Sequence, residues 1–233
     1  MSVAPDERTT KPAATFGSGG REPYAKAIAA TGAGILFLQK FDGPTKTKTA
    51  QIDTTRWNGE ASAADLQLLR RVRGPVLDIG CGPGRMVRAA TALGMDALGI
   101  DVSAAAVEIA HRHGVNALKL SVFDEIPLEG KWNTVLLVDE NIGIGGNVTT
   151  LLRRCAHLIA ADGEILVEVS PDARRDRAYR GRLVDGDGNH SETFPWAEVG
   201  IIGLANRAIG IGLALRQSWT SDDRTFARLA KRR

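Results

Sequence analysis

The stretch Val76-Leu77-Asp78-Ile79-Gly80-Cys81-Gly82-Pro83-Gly84-Arg85 decides how this chain is read. A short apolar run passes into a loop of alternating glycines, and Arg85 opens a helical pattern that Gly94 stops. Glycine has no Cβ, so such a loop turns sharply and lets the backbone approach a ligand closely. The spacing is Asp78-x-Gly80-x-Gly82-x-Gly84. It differs from the G-x-G-x-x-G of pyrophosphate binders, because Arg85 holds the sixth position.

Working outward, residues 97–102 read as the next strand, ending in a second acid, Asp101, placed to accept hydrogen bonds from two ribose hydroxyls. Ser103 caps a helix that ends at Gly114, and 117–122, 134–138 and 165–169 read as further strands. A helix over 148–160 and a turn at Asp162-Gly163 separate the last two. Upstream, Ser62-x-x-Asp65 is a capping box for a helix that Gly74-Pro75 stops. After Pro171, residues 179–184 and 189–194 flank Asp185-Gly186-Asp187-Gly188, a hairpin signal. A helix over 197–209 follows, and 213–220 with 225–229 form a second antiparallel pair. Strands alternating with helices imply parallel pairing with right-handed crossovers. The expected fold is α/β: a doubly wound, seven-stranded, mostly parallel sheet with an extra β-hairpin after the fifth strand.

The 233 residues carry 30 Lys plus Arg against 27 Asp plus Glu, a net charge of +3 that is too mild for a chain built to coat nucleic acid. Arg174, Arg175, Arg177, Arg180 and Arg182 crowd together, as a solvated face or as a surface for an anionic partner. No run approaches the roughly 20 apolar residues of a membrane span. Cys81 and Cys155 form neither a disulfide framework nor a metal-ligand spacing, so no structural zinc is expected and a reducing cytoplasm is the natural compartment. Residues 1–20 are expected to be a disordered tail, since they lack large apolar groups. Residues 21–56 form an N-terminal arm or cap, with a short helix, an apolar run and a Lys/Thr-rich linker over 43–55. Residues 57–233 are the domain proper. Oligomeric state is not legible.

At these residues the chain resembles the class I S-adenosylmethionine-dependent methyltransferases, from about Trp57 to the C-terminus. VLDIGCGPGR matches the family's first motif, residues 98–103 its ribose-binding strand, and residues 158–167 the segment entering strand five. The resemblance implies a Rossmann-like methyltransferase fold with S-adenosylmethionine as cofactor. Gly80, Gly82 and Gly84, with Cys81, would line its methionine end. Asp78 would hold its ammonium group, and Asp101, beside Val102, its ribose. Where many relatives carry an acid for the adenine, this chain has Ser121, leaving Val122 and Phe123 as the adenine contacts; Asp124 is a contact or a turn cap. After strand four, Asp139 and Glu140 are candidate bases and Asn141 could orient an acceptor. NIGIGG here and FPWA further on resemble an actinobacterial-type group of unassigned substrate, which typically has Gly at the position of Glu140, so Asp139 is the stronger candidate. Phe194, Trp196 and Tyr24, with Trp57, are candidate lid residues, and His190 is a candidate base at the hairpin turn. The expected activity is methyl transfer to a small molecule. The alternatives are an RNA or protein acceptor, or a cofactor-binding partner protein without turnover.

Overall fold

The computed structural model describes residues 14–17, 23–30, 35–42 and 45–232. The N-terminal arm holds α1 (Pro23–Ala29), β1 (Ile35–Asp42), β2 (Thr45–Asp53) and α2 (Thr55–Asn58). The central unit runs α3 (Ala63–Leu69), β3 (Val76–Ile79), α4 (Arg85–Ala92), β4 (Ala97–Asp101), α5 (Ala104–Arg112), β5 (Ala117–Lys119), β6 (Trp132–Leu137), α6 (Val148–Leu158) and β7 (Ile159–Val169). Then come β8 (Asp176–Asp185), β9 (Phe194–Val199), α7 (Ile201–Ile209), β10 (Leu213–Ser221) and β11 (Arg224–Lys231).

Seven strands form the main sheet in the order β10-β11-β7-β6-β3-β4-β5, parallel from β7 to β5, with β11 antiparallel to β7. The expected doubly wound fold is therefore present. Its central strands are buried on both faces, which explains their unbroken apolar runs. Leu77, Ile79, Val135 and Leu137 pack with Leu151, Leu152 and Cys155 of α6. Val76, Leu136 and Leu166 pack with Leu68 and Leu69 of α3 and Met86 of α4. From β3 the chain winds one way to β4 and β5 and the other way to β6 and β7, so the crevice at the carboxyl ends of β3 and β6 is the switch point where such sheets take ligands.

A second sheet, ordered β2-β1-β8-β9, joins the arm to the added hairpin. Here the structure corrects the sequence reading. Residues 45–53, read as linker, are a strand, with Leu36 opposite Ile52 and Leu38 opposite Ala50; the alternating Thr-Lys run is a period-two pattern hidden by its polarity. The hairpin forms, but its second strand begins at Phe194, opposite Gly181, and runs to Val199, so α7 starts at Ile201 and not at 197. Asp162-Gly163 is no turn: it lies inside β7, beside a register shift against β6, and a Cβ on Gly163 would stand 2.7 Å from the Trp132 carbonyl oxygen. Among the described residues no helix is long and apolar enough to cross a membrane.

The inner face of this second sheet buries Leu36, Leu38, Leu183, Phe194 and Trp196 against Tyr24, Ile28 and α5. Each such burial contributes roughly 1.5–3 kcal/mol, enough to make the sheet a fixed roof. Phe16, inside the segment expected to be disordered, meets Tyr24 and Phe194 edge-on, with ring centroids 5.2 and 5.3 Å apart. The rest of residues 1–20, apart from 14–17, lies outside the described residues. Limited proteolysis is therefore expected to stop short of Phe16. Phe16→Ala, at a half-buried ring, should lower stability by about 1–3 kcal/mol in urea titrations; a change under about 0.5 kcal/mol would detach that ring from the fold.

Candidate functional site

Between the carboxyl ends of the parallel strands and this roof lies a cavity of about 470 Å³. The glycine loop forms its floor, tied to β4 by the Gly80 and Cys81 amides, which donate to the Ile100 carbonyl at 2.8 and 3.0 Å. The glycines do different jobs. Gly84, at φ +90°, would place a Cβ 2.6 Å from Val115 Cγ1 and does not line the cavity, so packing against Val115 requires glycine there. Gly82, at φ +54°, would meet only Tyr24 Oη, at 3.2 Å, and its surface faces the cavity.

Asp101 closes β4. Its Oδ2 accepts from the Gly82 amide at 2.9 Å and its Oδ1 from the Ser103 amide at 2.8 Å. Burial pushes its pKa up, against those same amides. Each oxygen keeps lone-pair capacity for a further donor from the cavity. Asp78 lies deeper, 2% exposed, and its Oδ1 has no hydrogen-bond partner among the described residues. Burial, reinforced by the carboxylates of Asp139, Asp101 and Asp65, outweighs Arg85 and pushes its pKa up to about 7.

In the loop after β6, Asp139 lines the cavity with its carboxylate already engaged. The Asp139 Oδ2 accepts from Arg85 Nη2 at 2.5 Å, and its Oδ1 lies 3.2 Å from Arg56 and 3.3 Å from Arg224. Three guanidiniums hold the carboxylate. Asn141 lines the cavity too, and its Nδ2 donates to the Ile79 and Gly80 carbonyls at 2.9 and 3.1 Å, bracing the glycine loop. Glu140 is different. Its carboxylate makes no hydrogen bond or ion pair with any described residue, and it lines the cavity. Burial by the cavity walls and the nearby Glu198 raise its pKa; Lys40 opposes, and Glu168 and Asp139 add to the rise. Asp139 and Glu140 are consecutive non-glycine residues with positive φ, 55° and 64°, a placement that costs on the order of 1–3 kcal/mol per residue and clusters at functional sites.

At the other end, Val122 is buried and Phe123 is exposed at the cavity rim, over Gly145. Asp124 caps the turn, its Oδ2 accepting from the Ser121 amide at 2.8 Å. Arg154 of α6 donates to the Val122 carbonyl at 2.8 Å and the Asp124 carbonyl at 2.6 Å, fixing this rim. Tyr24, Phe194 and Trp196 do line the cavity, as expected of lid residues, and Cys81 and Val102 line its floor. Burial raises the Cys81 thiol pKa, so it stays protonated. His190 sits exposed on the hairpin turn and does not line the cavity. Lys40, Arg56 and Glu168 also line it. Nothing in their local sequence marked them, because a roof strand, the short helix α2 and the end of β7 carry them.

Residues 76–163 match a family model described as a methyltransferase domain. No curated protein matches the chain. Among solved structures, a methyltransferase from Bacteroides fragilis in complex with S-adenosyl-L-homocysteine is similar at 22% identity and a TM-score of 0.77, over 92% of this chain and 96% of that one. A sugar N-methyltransferase from a Streptoalloteichus species is similar at 16% identity and a TM-score of 0.58, over 83% and 99%. A 1,6-didemethyltoxoflavin-N1-methyltransferase from Burkholderia thailandensis is similar at 18% identity and a TM-score of 0.56, over 77% and 82%. Residues 76–163 are thus a methyltransferase domain, set in a fold that the chain shares with these solved methyltransferase structures.

The site's own chemistry fits S-adenosylmethionine as cofactor. A buried carboxylate oxygen without a partner, at Asp78, suits an ammonium group, and the open surface at Gly82 leaves room for its chain. Asp101 keeps acceptor capacity for hydroxyls. Asp101→Ala should lower S-adenosylhomocysteine affinity by roughly 1.5–3 kcal/mol for each charge-assisted bond lost. It also strips the Gly82 and Ser103 amides of their acceptor, so a lower melting temperature is expected alongside. Unchanged affinity in calorimetry would refute the ribose role.

Proposed function

We propose that this chain transfers the methyl group of S-adenosylmethionine to a small-molecule acceptor enclosed between the glycine loop and the four-stranded roof. The roof carries the reading. It closes the crevice into a chamber of about 470 Å³, within the range of small-molecule sites, and gives it aromatic walls in Tyr24, Phe194 and Trp196. The bound cofactor supplies an electrophilic methyl group on a good leaving group. The chain has then to hold the acceptor in line and remove a proton, since positioning accounts for much of such a rate enhancement. Asp78, Asp101 and the Gly82 surface would hold the cofactor, with Val122 and Phe123 at its adenine. The similar structures named for a sugar and for a toxoflavin precursor support a small acceptor.

The arginine cluster after Pro171 gives little support to an RNA acceptor. Arg175 and Arg177 pair with Glu198, Arg180 bonds Thr193, and Arg182 bonds Gln39 and covers the Phe41 ring. These side chains serve the roof. The test is purified protein with methyl-labelled cofactor against a panel of metabolites and a cell extract, with products identified by mass. A labelled small molecule is expected; label confined to RNA or protein would overturn the reading.

A further inference from the structure

Resting on that reading, we infer that the acceptor carries a basic amine and that the Glu140 carboxylate binds it under the roof. Charge matching in the chamber singles out this residue. Arg56, Arg85 and Arg224 are answered by Asp65, Asp139 and Glu168 in one continuous ion network. Lys40 is answered by Glu198. Asp78 and Asp101 belong to the cofactor end. That leaves Glu140 as the acceptor-side carboxylate that makes no ion pair or hydrogen bond with any described residue, with Lys40 acting on it only through space. An acceptor carrying a carboxylate or phosphate there would meet the Glu140 carboxylate, which no described residue pairs. An ammonium group would instead give that carboxylate the direct partner it lacks among the described residues.

The walls suit the rest of such a molecule. Tyr24, Trp57, Phe194 and Trp196 give apolar faces for a carbon body and π-faces that attract a cation. The backbone adds a third indication. Glu140 sits at φ 64°, where glycine is at ease and a bulky side chain is strained, so the fold holds a carboxylate where it is sterically costly.

The placement also supplies the proton step. A bound ammonium gives one proton to the Glu140 carboxylate, leaving a neutral amine and a carboxylic acid. The amine nitrogen then forms its bond to the methyl carbon as that carbon's bond to sulfur breaks, the electron pair passing to sulfur. The products are a methylated ammonium and S-adenosylhomocysteine, and Glu140 returns its proton to solvent. The raised proton affinity of this carboxyl, set by Glu198, Glu168 and Asp139 against Lys40, suits that exchange.

The test uses the full chain saturated with S-adenosylhomocysteine and three matched probes: phenethylamine, 2-phenylethanol and 3-phenylpropionate. Binding is read by saturation-transfer NMR in the parent, in Glu140→Gln and in Glu140→Gly, the last favoured by the left-handed backbone. The amine is expected to bind about tenfold or more tightly than the acid, with that preference lost in both variants. S-Adenosylhomocysteine affinity should stay within about twofold of the parent, since Glu140 lies outside the cofactor end. Three results overturn the inference: an acid that binds as tightly as the amine, an amine that fails to bind at millimolar concentration, and a preference that survives Glu140→Gln. Failure of the parent to bind S-adenosylhomocysteine at all would instead sink the methyltransferase reading, and this inference with it.

Discussion

Asp78→Asn is expected to weaken S-adenosylhomocysteine binding by at least about 30-fold while stabilising the ligand-free protein above pH 7. The first effect follows from removing the carboxylate opposite a buried ammonium, a loss of about 2–5 kcal/mol. The second follows from linkage. Asp78 is raised from an ordinary value near 3.8 to about 7 in the folded chain. The ligand-free fold therefore holds a proton that the unfolded chain has already lost between those two values. The contribution of this group to stability is greatest below pH 4, falls as pH rises towards 7, and levels off above that. The accumulated penalty is roughly 2–4 kcal/mol, and asparagine, which cannot ionise, escapes it. Cofactor affinity should show the mirror dependence, falling about tenfold per pH unit on the acid side of 7 because the carboxyl must ionise to receive an ammonium. At pH 7 binding should release roughly half a proton, visible as a buffer-dependent calorimetric enthalpy that vanishes in Asp78→Asn. A variant that binds as well as the parent would refute the assignment; one that is less stable at pH 8 would refute the linkage.

Arg85→Met should destabilise the fold by about 3–5 kcal/mol, the usual loss when one partner of a buried ion network is removed. Arg85 is 3% exposed and bridges Asp65 at the start of α3 to Asp139 after β6. Arg224, on β11, contacts the same two acids and Glu168. Without Arg85, Asp65, itself 1% exposed, keeps only Arg224 at close range and Arg56 at 3.9 Å. Burial alone would raise the Asp65 pKa, but Arg85 and Arg224 hold it well below the ordinary value. Its contribution is therefore present above pH 4 and is lost as pH falls, so acid unfolding should begin at a higher pH in the variant. Arg85→Lys should recover little, because one ammonium cannot span both carboxylates. A urea midpoint shift worth less than about 1 kcal/mol at unchanged m-value would show the network to be dispensable.

Much of the central unit was legible because its signals are local. The Ser62 and Asp65 capping box forms as read, each side chain accepting from the other's amide, and Ser103 caps α5. The floor of the site was legible for the same reason: Asp78, the glycines and Asp101 stand at strand ends within one β-α-β unit. The base candidates were not. Asp139 and Glu140 are neighbours, and sequence favoured Asp139. Its partners arrive from α2, α4 and β11, far apart along the chain, so nothing near Asp139 could show that its carboxylate was already engaged.

The roof marks the same boundary. An apolar run in the arm, a Thr-Lys alternation and a hairpin signal were each visible, but pairing between them was not. Leu38 stands opposite Leu183, and Phe41 opposite Arg180, across most of the chain's length. Sequence by itself determined the doubly wound sheet, its glycine loop and the two acids at its strand ends, because hydrophobic period and glycine spacing act over a few residues. The tertiary structure alone decided that arm and hairpin form one roof, that Asp139 is an anchored ion, and that Glu140 beneath that roof makes no ion pair among the described residues. Those outcomes depend on which distant strands pair and which charges meet in a cavity of low polarity, and such pairings leave no periodic trace in the chain.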